Sequence, residues 1–125
     1  MNKQICKDIF KQLQTLGILD DKGTMKVSYM RFEAEGLMDL HVDKLLATRL
    51  SVAHNGVLNG DIMADPDMEI TIYPERQEAE AQTFQNDYLG IYQEPEDKRE
   101  LNVFLHDWLT NIIDAEYKLV ETEDE

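Results

Sequence analysis

The side chains most able to do chemistry concentrate between His54 and Glu69. Asp65, Asp67 and Glu69 alternate there. On an extended chain, same-face neighbours stand about 6.5–7 Å apart, twice the strand rise. Three carboxylates along one edge, with Asp61 and His54 arriving from a turn, form a candidate oxygen-ligand set for Mg²⁺, Mn²⁺ or Ca²⁺. Asp61, Asp65 and Glu69 are the candidate metal ligands, and His54 and Asp61 the candidate catalytic groups. The plainer reading has Asp61 and Asp65 closing turns through their own backbone, with Asp67 and Glu69 on a solvated strand face. An EF-hand is excluded, because Ile70 stands where the loop needs glycine. A nuclease of the Pro-Asp…Asp/Glu-x-Lys type lacks its lysine, since Glu69 is followed by Ile70 and Thr71.

Asp39-x-His41-x-Asp43 is a second arrangement, an imidazole between carboxylates that fits a general base or a polar sheet face. No Gly-x-Ser-x-Gly, phosphate loop or dinucleotide fingerprint occurs. Cys6, at the edge of an apolar stripe, reads as structural, and as the lone cysteine it excludes an internal disulfide and a cysteine-rich zinc site. Trp108 and most methionines fall at expected core positions or turns.

These residues need elements to hold them. Ile5, Ile9, Phe10, Leu13 and Leu16 make one helical stripe over residues 3–16, with Asn2 as N-cap and Gly17 just past the end. Asp20-Asp21-Lys22-Gly23 is a turn. The apolar period then drops to two, which predicts strands over 27–32, 37–44, 49–54 and 67–73, with a weak fifth near 79–83. Asn55-Gly56 and Asn59-Gly60 each read as turns. Leu101, Phe104, Leu105, Trp108, Leu109 and Ile112 define a second helix opened by Glu94-Pro95-Glu96-Asp97. Residues 121–125 hold four acids and read as a disordered tail behind a single domain over residues 1–120. The expected fold is α+β: an antiparallel meander of four to five strands with both helices on one face.

Composition narrows the partners. The formal net charge of the 125 residues is −14. Residues 1–62 balance eight basic against eight acidic residues, so the excess lies in 63–125, with four basic against eighteen acidic. No basic patch for nucleic acid and no apolar run approaching the roughly 20 residues of a membrane span is present. The unpaired cysteine and the absence of a signal-peptide pattern point to the cytoplasm.

Asn59-Gly60-Asp61-Ile62-Met63-Ala64-Asp65-Pro66-Asp67-Met68 resembles the N-G-D-x-M-x-D-P-[D/E]-M signature of small uncharacterised domains from bacterial plasmids, conjugative elements and phages. Leu50–His54, Gln85–Tyr92 and Leu101–Leu109 fit the same pattern, so the resemblance spans about residues 50–112. It implies a mobile-element or phage setting and no mechanism. Asn59, Asp61, Asp65, Asp67, Glu69 and Asp87 are the candidate binding residues. Two functions follow as expectations. The first is a non-enzymatic binding or accessory protein with a protein partner, such as a basic nucleic-acid-binding protein. In one form it mimics DNA with the acids of the second helix. The second is a divalent-metal-dependent hydrolase acting on a phosphoester. No cofactor beyond that cation is implied.

Overall fold

The computed structural model describes residues 3–58 and 60–124. The expected cap Asn2 and the candidate Asn59 lie outside the described residues. The chain runs α1 (Lys3–Thr15), β1 (Tyr29–Glu33), β2 (Leu40–Leu46), β3 (Arg49–Leu58) and β4 (Asp61–Tyr73). It continues through β5 (Glu78–Ala81), β6 (Phe84–Asn86), β7 (Ile91–Gln93), α2 (Arg99–Asp114) and β8 (Lys118–Glu123). The sheet order is β7-β6-β4-β3-β2-β1-β8, with β5 also paired to β4. The fold is α+β as expected, but the antiparallel sheet has eight strands among the described residues rather than four or five.

Both helices form where the 3.6-residue period predicts. Gly17, at φ +82°, ends α1 by letting the Ile18 amide reach back to the Leu13 carbonyl at 3.0 Å. The apolar stripes of α1 and α2 meet one face of the sheet. Ile9, Phe10 and Leu13 join Leu105, Leu109 and Ile112 over Phe32, Leu40, Val42, Leu50, Val52, Met68 and Ile70 in one core. Two polar contacts lock the helices in place. Gln12 Nε2 donates to Thr110 Oγ1 at 2.9 Å, joining α1 to α2. Asn102, fully buried, accepts the Ala81 amide at 2.8 Å and ties α2 to β5. Asn102→Ala strands that buried amide. Urea denaturation should show a loss of about 1–3 kcal/mol.

Three departures from the expected strands have physical causes. First, β3 runs straight through Asn55-Gly56, and only Gly60, at φ +86°, makes a turn. Gly56 is required by contact instead: a Cβ there would stand 2.2 Å from Tyr88 Oη. Second, β4 starts at Asp61 rather than 67, because Asp61–Ala64 pair with Asn55–Leu58 in a two-stranded arm. The register slips between Ala53, which faces Asp67, and Asn55, which faces Ala64. His54 therefore opposes both Asp65 and Pro66 in a bulge. Third, the expected disordered tail is corrected. Glu121–Glu123 are the end of β8 and pair with Tyr29–Arg31. Its acids are not merely solvated, since Arg31 Nε donates to Glu121 at 2.9 Å. Residues 84–86 and 91–93 add two further short strands, pairing as β6 and β7.

Candidate functional site

Strand alternation divides the polar residues between the two sheet faces. Tyr29, Arg31, His41, Asp43, Arg49, Ser51, Asp67 and Glu69 occupy the face away from the helices. There they pair with one another. Tyr29 Oη and His41 Nδ1 share a hydrogen bond of 2.6 Å. Arg31 bonds Glu33, Asp39 and Glu121. Ser51 Oγ donates to Asp67 at 2.7 Å, and Arg49 Nε to Glu69 at 2.7 Å. Burial raises the Asp43 carboxyl, with His41 opposing the shift.

His54 lies on the other face. It follows Leu50 and Val52 in the alternation of β3, which turns its ring toward the helices, with the ring centroid 5.3 Å from that of Trp108, edge-on, and Nδ1 3.0 Å from the Asp39 carbonyl oxygen. Burial pushes its pKa below the ordinary 6.5, so the imidazole is neutral at pH 7. The carboxylates proposed to work with it are spread along β4. Asp61 and Asp65 are four residues apart on an extended strand, as are Asp65 and Glu69, which is roughly 13 Å each. Ligands of one ion must all lie within about 2.6 Å of it. The structure does not bring Asp61, Asp65 and Glu69 together, and no three His, Cys, Asp or Glu side chains among the described residues are placed to share a metal.

Most of the individual candidates have structural partners. Asp61 is exposed at the start of β4. Asp65 accepts from Asn86 Nδ2 at 3.2 Å, within a strand rather than a turn. Asp87 accepts from Gln85 Nε2 and the Ala64 amide, both at 2.8 Å, and these bonds lower its pKa. Asp87 therefore pins the β6–β7 hairpin to the β3–β4 arm. Cys6 is buried, which raises its thiol to about 11 and leaves it unreactive at pH 7.

Asp67 offers a test of its surroundings. Burial raises its carboxyl above the ordinary 3.8, against the Ser51 bond that lowers it. A raised native pKa gives stability that is complete below about pH 3.8 and is lost as pH rises through the native value. Asp67→Asn should therefore raise the melting temperature at pH 7. Melts across pH should show that gain shrinking toward pH 4.

A large cleft lies elsewhere, between β6–β7 and the first turns of α2. It has a volume of about 1000 Å³ and is lined by Phe84, Gln93–Pro95, Asp97, Arg99–Leu101 and Phe104. Phe84 and Phe104 meet edge to face at 5.1 Å and form its floor with Leu101 and Pro95. Behind them the aromatic row continues through Trp108, 6.3 Å from Phe104, to His54. Glu94 and Glu100 are exposed at the rim. Arg99, the cation of this lining, clamps Asp97 through Nη2 at 2.5 Å and Nε at 3.0 Å, which holds the Asp97 carboxyl at about 2.

Of these residues the sequence marks only Asp97 and Glu100, as acids of the DNA-mimic face, and not the apolar floor. The available signal was the width of the α2 stripe. Phe104 belongs to the apolar stripe that defines the helix, yet it is 42% exposed and its neighbour Val103 51%. The apolar arc of α2 is wider than its buried face.

Two helices on one face of an eight-stranded antiparallel sheet, with an aromatic-floored acidic cleft at one helix start, define a small α+β domain. Within that class the chain belongs to the DUF6908 family, a domain of unknown function, whose model matches residues 4–117. The match takes in every element from α1 to α2 and stops before β8. No curated protein and no solved structure matches the chain.

Proposed function

We propose that this is a non-enzymatic binding or accessory protein that engages a basic protein partner, working in the cytoplasm of a cell that carries a mobile element or phage. One observation carries the reading. Of the candidate acids of β4, Asp65, Asp67 and Glu69 are engaged internally, with Asn86, Ser51 and Arg49, while Glu94 and Glu100 stand exposed around an apolar cleft. An apolar floor ringed by carboxylates suits a cationic protein surface better than water-mediated chemistry. The mobile-element setting rests on the resemblance of residues 59–68. Among the described residues no helix is long and apolar enough to cross a membrane.

The DNA-mimic form of this reading is less favoured. Of the acids that the mimic would use, Glu96, Asp97, Glu100, Asp107, Asp114 and Glu116, Asp97 is clamped by Arg99 and only Glu100, Asp107 and Asp114 lie within α2, three carboxylates over roughly 21 Å of helix. Duplex DNA carries about twelve charges over that length.

Affinity capture tests the reading. The full chain on a resin should retain a basic protein from bacterial lysate at about 50 mM salt and release it by about 300 mM, as exposed charges are screened. The Glu94→Gln/Glu100→Gln chain should retain far less. Retention of nothing at low salt would contradict the proposal.

A further inference from the structure

We infer that the Phe84–Phe104 cleft takes an extended segment of the partner, with an apolar side chain on the aromatic floor and a lysine or arginine on either side. The inference rests on the binding reading above and names the chemistry of its partner. Charge complementarity selects the occupant. Glu94, Asp97 and Glu100 face the cleft, and its cation, Arg99, is consumed by Asp97. Arg99 also attracts Glu100 at longer range, so the lining sets one cation against three carboxylates. Nearby Lys98 turns away, donating to the Gln82 carbonyl at 3.0 Å. The floor is hydrophobic, so a purely cationic ligand would leave it uncovered. At about 1000 Å³, the cleft is larger than one side chain requires and sits at the upper end of small-ligand sites. The shape of the edge favours an extended segment. Phe84 faces Gln93 across the β6–β7 ladder, and β7 ends the sheet order. A segment lying beside β7 turns alternate side chains toward the same face as Phe84, and so toward Phe104.

The test titrates the full chain with a short labelled peptide alternating lysine and phenylalanine, beside a lysine-only peptide of equal length. The mixed peptide should bind more tightly. Phe104→Ala should weaken it by about tenfold. Phe104→Leu, which keeps an apolar floor, should recover much of the loss. Glu94→Gln/Glu100→Gln should weaken it several-fold more than Asp107→Asn/Asp114→Asn, an equal charge change farther along α2. If both charge pairs weaken binding equally and Phe104→Ala changes nothing, the cleft is not the site, although the basic-partner reading stands. If neither peptide binds the native chain at low salt, both fall.

Discussion

Phe10→Ala should destabilise the protein by about 3–5 kcal/mol, read as a lower urea midpoint with an unchanged slope. Phe10 is 2% exposed and lies where α1 meets the core. Its removal subtracts the burial of a large ring and leaves a cavity, because neighbours relax only partly. Against a total stability of about 5–15 kcal/mol for such a domain, that loss is decisive.

Gly23→Ala should cost about 2–5 kcal/mol by the same measurement, from two terms of about 1–2 and 1–3 kcal/mol. Gly23 sits at φ +82°, in the left-handed region that favours glycine. It closes a turn in which Asp20 Oδ1 accepts the Lys22 and Thr24 amides, each at 2.9 Å. A Cβ at Gly23 would also stand 2.6 Å from Phe10 Cζ. That ring is packed in the core and cannot swing away as an exposed side chain would. The two substitutions are therefore coupled. In the double variant the clash disappears, and the total should fall short of the sum of the single losses.

This coupling shows how far the sequence reaches. The Asp20–Gly23 turn and the α1 stripe containing Phe10 are both legible from local pattern. That the turn lies flat on that ring depends on tertiary packing. Strand limits fail in the same way. Asn-Gly at 55–56 carries a strong turn signal, yet its glycine makes room for Tyr88 more than thirty residues away. The acids of residues 121–124 look like a tail until Arg31 appears opposite Glu121. The candidate site was the least legible feature. Polar density marks His54–Glu69, where one long strand spreads the carboxylates and the alternation of β3 puts His54 on the other face. The cleft joins Phe84, the loop before α2 and Phe104, and no local period links these three segments.

The most direct measurement of the central claim is an amide NMR titration of the full chain with the lysine–phenylalanine peptide at low salt. The account predicts saturable shifts centred on Phe84, Gln93, Glu94, Leu101 and Phe104. The far end of α2 and Glu121–Glu123 of β8 should change little, although they are equally acidic. An absence of shifts, or shifts spread over all the exposed acids alike, would contradict it.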